Sequence, residues 1–79
     1  MKQNLTPLHL IPCGKSVTVK ALTAAGNTRR RMLDLGLVID TVVEALRKSP
    51  SGDPTAYEIR GAVIALRSEE ASQILVELL

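Results

Sequence analysis

Aromatic side chains are almost missing: the chain has no Trp, no Phe and one Tyr, Tyr57. Sequence-tolerant binding of single-stranded nucleic acid uses several aromatic faces on which bases stack, so a broad surface of that kind is excluded. The interior has to be assembled from Val, Ile, Leu and Ala. Cysteine and histidine are equally scarce, one of each, Cys13 and His9. A single cysteine rules out an internal disulfide and fits a reducing compartment. One His and one Cys cannot make a two-histidine, one-carboxylate triad or a four-ligand Cys/His zinc site within one copy. His9 and Cys13 are four apart, but Pro7 and Pro12 oppose the helical turn that would align them. They would share an ion only where two subunits meet.

Other absences narrow the chemistry further. Gly14, Gly26, Gly36, Gly52 and Gly61 are scattered singly, with no phosphate-cradling run, and read as turn and cap positions. No Ser or Cys stands in a nucleophile-like context with a histidine, so no enzyme is expected. No apolar run approaches the 18 or so residues that span a bilayer. The stretch Met1 to Cys13 is a poor lipoprotein signal, interrupted by Thr6, Pro7 and His9 and with Pro12 where a small residue would be wanted. The cytoplasm is the expected address, without insertion in the membrane.

What is present is one small domain, residues 1–79, with 46% apolar residues. A chain of this length buries only about 60% of the surface that its unfolded form exposes. The formal charge of +2 hides an asymmetry: residues 1–31 hold six Lys/Arg and no carboxylate, whereas residues 32–79 hold four Lys/Arg and all eight carboxylates.

Lys15 to Ala21 alternates polar and apolar, which predicts a half-buried strand with Val17, Val19 and Ala21 inward. Ala25-Gly26-Asn27 is a turn leading to a short helix with Thr28 as its cap; Met32, Leu33 and Leu35 form its apolar side and Gly36 ends it. Two or three turns are not stable alone, so the helix must lie on a sheet. Thr41 to Lys48 reads as a strand with Val43 and Ala45 inward. Ser49 to Pro54 is a loop at a hairpin tip, and Thr55 to Arg60 is a strand with Tyr57 and Ile59 on one face. Gly61 implies a tight turn or bulge before the strand Ala62 to Leu66. Ser68 to Ala71 is a helical turn capped by Ser68, with Glu69 and Glu70 at the positive end of its dipole. Beyond it, Ala71, Ile74, Leu75 and Leu78 fit a helix, and Ile74, Val76 and Leu78 fit a strand. The strand is preferred because it completes a five-stranded barrel and closes its edge. The expected fold is mainly β: a small SH3-like five-stranded barrel with one short inserted helix and a helical turn before the last strand. Leu22, Leu35, Leu37, Val42, Leu46, Leu75 and Leu79 exceed what such a barrel can bury. Leu35 and Leu37 are expected to seal its end, and the rest to offer a contact patch to another protein or a second copy.

The most distinctive stretch is Arg29-Arg30-Arg31-Met32-Leu33-Asp34-Leu35-Gly36-Leu37. Consecutive arginines fan over most of a helix circumference, at about 100° per residue, so at least one has a structural role. One account is a solvated face with a local Arg30–Asp34 pair; the other is recognition of an acidic surface or a phosphate. The residues Arg30, Leu33, Leu35, Gly36 and Leu37, then Gly52-Asp53-Pro54, then Arg60, Ala65, Leu66 and Arg67 together resemble the FeoA family. The resemblance extends from about Leu8 to Val76. It departs at Val38-Ile39-Asp40-Thr41, where the family usually has a Pro-Gly turn; Asp adopts positive φ less readily than Gly.

The resemblance implies a non-enzymatic cytoplasmic adaptor of ferrous iron uptake that docks on FeoB, a membrane transporter with a cytoplasmic G-protein domain, and modulates it. Family members are often described as binding transition metals. Here no resident cofactor is expected, and at most weak binding of a divalent ion such as Fe²⁺ or Zn²⁺. The residues expected to touch the partner are Arg29, Arg30 and Arg31 with the loop Pro50, Ser51, Gly52, Asp53 and Pro54. Whether the chain forms a homo-oligomer is left open. Rival readings are a nucleic-acid-binding barrel, argued by the basic first 31 residues, and a regulatory domain of a metal-responsive repressor. A further rival is an arginine that completes a GTPase site in trans.

Overall fold

Alternating burial turns into one antiparallel sheet of six strands in the computed structural model, which describes residues 4–79. The first three residues of the Met1 to Cys13 stretch lie outside the described part. In chain order the elements are β1 (Thr6–Pro7), a 3₁₀ turn (Leu8–Leu10), β2 (Ser16–Leu22), α1 (Gly26–Asp34), β3 (Val42–Lys48), β4 (Thr55–Ile59), β5 (Ala62–Leu66), α2 (Ser68–Ala71) and β6 (Ile74–Leu78). Across the sheet the order is β1-β6-β2-β3-β4-β5.

That order corrects the expectation of a closed five-stranded cylinder. The last strand does not reach β5; it pairs with β2 on one side and β1 on the other. The two-residue β1 is an added sixth strand, and it and β5 are left as the two edges. Two irregularities bend the sheet. Between Val19 and Ala21 the register of β2 on β6 slips at Lys20, and between Ala45 and Arg47 that of β3 on β4 slips at Leu46. An extra residue opposite one partner raises the local twist.

The inward pattern is as expected in the middle of each strand. Val17, Val19, Val43, Ala45, Tyr57, Ile59, Leu66, Ile74 and Val76 are all at most 2% exposed. Past the Lys20 slip the alternation fails: Ala21 and Leu22 are both half-buried, and Leu22 packs on the core instead. Leu78 is exposed at the end of β6. Leu8 and Ile11 close the core from the β1 side.

The helix α1 starts at Gly26, two residues before the expected cap, and neither Ala25 nor Thr28 caps it with a side chain. Its far end is a Schellman stop: Gly36, at φ +98°, donates its N–H to Leu33 C=O, and Leu37 N–H donates to Met32 C=O, both at 3.0 Å. Met32 and Leu37, at the two ends of that wider bond, are fully buried. Leu33, expected on the apolar side, is instead 39% exposed, and the core-facing side is Met32 with Leu35. Asp40 does take the positive φ, 71°, that its turn demands. Lys20 holds it there through a 2.9 Å contact to Oδ1. Among the described residues, no helix is long and apolar enough to cross a membrane.

Candidate functional site

The three arginines of α1 take three different roles. Arg29 donates from Nη1 to the carbonyl of Leu22 at 3.2 Å, tying the helix start to the end of β2. Arg31 forms an ion pair with Glu70 Oε2. Arg30 is exposed and, among the described residues, makes no ion pair, so of the two accounts the one with a local Arg30–Asp34 pair is not realised. Two of the three are thus engaged in holding the fold, and the third guanidinium is unpaired among the described residues.

Glu70 links this helix to α2. It stands in α2, where its Oε1 accepts the N–H of Arg67 at 3.1 Å while its own N–H donates to Arg67 C=O at 3.0 Å. Glu70 therefore satisfies the start of α2 from inside, and its other oxygen reaches across to Arg31. Ser68 was expected as the cap. It is the first helical residue, and its N–H (2.8 Å) and Oγ (3.3 Å) both donate to Asp53 Oδ1.

Asp53 brings in the loop. Gly52 N–H donates to Ser49 C=O at 2.8 Å, Ser51 Oγ donates to Asp53 C=O at 2.9 Å, and Ser49 N–H donates to Pro54 C=O at 3.0 Å, so the loop is folded on itself. With Asp53 turned to α2, a continuous path runs Arg31–Glu70–α2–Ser68–Asp53. The arginine helix and the proline loop, about twenty residues apart in sequence, end on one side of the molecule.

Between them lies an open groove of about 530 Å³, lined by Thr28, Arg31, Pro54, Ala65, Arg67, Glu69, Glu70 and Gln73. A second groove of about 400 Å³ continues past Pro54 and Ala65. Ala56, Pro50 and Pro54 give it apolar walls, and Arg47 and Lys48 stand at its rim. Sequence reasoning missed Thr28, Arg67, Ser68 and Gln73 as site residues and assigned Glu70 only to the helix dipole. The spacing of Arg67 and Glu70, three apart at a helix start, was the one local signal available.

In β4, Tyr57 is almost fully buried, and that burial raises its phenol above the ordinary value. Lys20, at the β2 slip, is also raised, chiefly by its hydrogen bond and charge contact with Asp40, with Glu77 at 4.0 Å adding to it.

His9 and Cys13 do not meet in a ligand set. His9 sits in the 3₁₀ turn with a buried Nδ1 that has no hydrogen-bond partner among the described residues, and Cys13 is exposed in the turn after Pro12. Among the described residues, no three His, Cys, Asp or Glu side chains cluster to hold an ion.

Comparison with known proteins places these features in a family. Residues 6–78 match the FeoA domain model. An Fe(2+) transport protein A/Fe(2+) transporter FeoB fusion protein of Porphyromonas gingivalis is 31% identical over 75 residues; the match takes in 95% of this chain and 8% of that protein. The solution structure of FeoA from Chlorobium tepidum superposes with a TM-score of 0.88 at 34% identity, over 94% of this chain and 70% of that one. Stenotrophomonas maltophilia FeoA complexed with zinc, described as a prokaryotic SH3 domain protein, gives a TM-score of 0.80 at 27% identity, over 89% and 87%. The SH3-like expectation holds, with an open sheet in place of a closed cylinder.

Proposed function

Because the chain belongs to the FeoA domain family, we propose that it is a non-enzymatic accessory module of ferrous iron uptake, docking on the cytoplasmic part of a FeoB-like membrane transporter and modulating it. The observation that carries the reading is the joining of the arginine helix and the Pro50–Pro54 loop through Glu70 and Asp53 into one side with two grooves. Such a surface is prepared for contact before a partner arrives, which lowers the ordering cost of binding. Support also comes from the P. gingivalis relative, whose name places a transport protein A and a FeoB transporter in one chain. The module works in this reading in the cytoplasm and without a resident metal.

Arg30 is the side chain to test, since it alone of the three arginines makes no side-chain hydrogen bond or ion pair among the described residues. Charge reversal of an exposed interface cation by Arg30→Glu is expected to weaken retention of the purified cytoplasmic domain of a FeoB-like transporter by tenfold or more, about 1.4 kcal/mol. Lys15→Glu, at an exposed position before β2, is the control and should retain the partner as wild type does. Equal retention by wild type and Arg30→Glu would take the arginine helix out of the interface.

A further inference from the structure

β5 is a sheet edge with one neighbour, β4, and its register runs Ile59↔Ala62, Glu58↔Val63, Tyr57↔Ile64, Ala56↔Ala65 and Thr55↔Leu66 without a slip. Arg60 and Gly61 make the two-residue turn between them, both at positive φ (52° and 82°), as a type I′ turn requires. The pair that flanks such a turn exchanges both of its backbone hydrogen bonds, and bonded and non-bonded pairs then alternate. Ala62, Ile64 and Leu66 are therefore the bonded positions toward β4. The N–H and C=O groups of Val63 and Ala65 point the other way, out of the edge.

Native edges are blunted by an internal charge, a proline, a bulge or a cover. Ala62 to Leu66 contains neither charge nor proline, and no bulge twists it. Val63 is 63% exposed and Ala65 is exposed. Charge stands only at the two ends, where Arg60 precedes the strand and Arg67 follows it, both exposed. Among the described residues, Arg60 makes no ion pair and Arg67 has only a 3.9 Å contact with Asp53.

We propose that this edge accepts an extended segment of a partner protein as a seventh strand, apolar in its middle and carrying a carboxylate near each end. Strand addition supplies affinity through the main-chain bonds of Val63 and Ala65, and the flanking arginines select for acidic ends. Charge argues against a second copy of this chain as the occupant. Antiparallel pairing of β5 with itself about Ile64 would set Arg60 of each copy opposite Ser68 of the other, one residue from its Arg67, so that two like charges gather at each end of the ladder and repel. The edge borders the grooves at Ala65 and Arg67, yet its preference follows from its own backbone and charges, so it stands whether or not a FeoB-like partner docks.

The test is a chemical-shift titration of the ¹⁵N-labelled chain with three blocked seven-residue peptides. One has glutamate at both ends around alternating valine and threonine; the second has lysine in place of the glutamates; the third keeps the glutamates but is N-methylated on the amides that would face the edge. The acidic peptide is expected to shift the amides of Ala62 to Leu66 and to bind at least tenfold more tightly than the other two. Val63→Pro, which removes an outward N–H and no bond to β4, should abolish the binding, and Arg60→Asp should erase the preference for acidic over lysine ends. Should Val63→Pro fail to fold, the N-methylated peptide makes the same comparison on the unaltered protein. Equal binding of acidic and lysine peptides, no effect of N-methylation, shifts away from β5, or no shift at millimolar peptide each overturns the proposal. So does a concentration-dependent dimer through β5 that the acidic peptide cannot dissociate.

Discussion

The two edges of the sheet are built in opposite ways. At one, β1 is two residues long, contains Pro7 and passes at once into a 3₁₀ turn whose Leu8 is fully buried. Among the described residues this edge is a poor template for a further strand, because proline has no N–H to offer and the chain leaves the sheet at Leu8. At the other, β5 is five residues long and uncharged, with Val63 and Ala65 open to solvent. The difference is between an edge that the chain itself ends and one whose outward backbone groups face solvent. The open edge lies beside the two grooves and the Arg31–Glu70–Asp53 path; β1 lies at the far end of the strand order.

The largest effect should come from opening the β1 edge. Leu8→Ala removes a side chain with no exposed surface and is expected to cost about 2–5 kcal/mol, read as a lower urea midpoint and lost exchange protection in β1 and β6. A cost below about 1 kcal/mol would mean that Leu8 does not hold that edge.

Next comes the path on the open side. Glu70→Gln removes the ion pair with Arg31 and keeps an acceptor for Arg67 N–H. With Arg31 half exposed, the loss should be about 1 kcal/mol, read as a shifted urea midpoint. Shift changes should spread from α2 to both Arg31 and the Asp53 loop; changes confined to α2 would show that the two sides are not joined through it.

Alkali probes the core that both edges share. Tyr57 has its folded value raised by burial, so the neutral phenol is favoured in the native state. The resulting stability is complete below the ordinary value of about 10 and is lost as pH rises through the folded value. Lys20 is raised too, through Asp40, so its contribution fades in the same alkaline direction. Phenolate absorbance should appear at higher pH than in the urea-unfolded chain; coincident titrations would contradict the buried environment of Tyr57.

The smallest effect belongs to the open edge itself. Val63→Lys adds the kind of charge that blunts natural edges and should change stability by no more than about 0.5 kcal/mol. A loss above about 1 kcal/mol would show that Val63 is covered in the folded protein and that the two edges are alike.

Much of this was legible in the residues, for local reasons. Val17 and Val19, Val43 and Ala45, and Tyr57 and Ile59 carry the period-two signal of half-buried strands, and all six face the core. Gly36 marked the helix end because a Schellman stop needs the left-handed region there. The helix start was misplaced because no side chain caps it; Arg29 on the Leu22 carbonyl fastens it from the next element. β1 has two residues, too few for any periodicity, so the sixth strand and the open sheet went unseen. The arginines and the proline loop could be singled out one at a time. Their union depends on Arg31–Glu70 and Ser68–Asp53, contacts 39 and 15 residues apart that leave no pattern in sequence.

The central claim, that the arginine helix and the loop form one docking side, is tested most directly by titrating the ¹⁵N-labelled chain with the cytoplasmic G-protein domain of a FeoB-like transporter. The expected result is a set of shifts and line broadening that includes Arg30, residues 50–54 and Ser68 to Ala71 together. Perturbation confined to β1, the 3₁₀ turn and β6, or none at saturating partner, would contradict it.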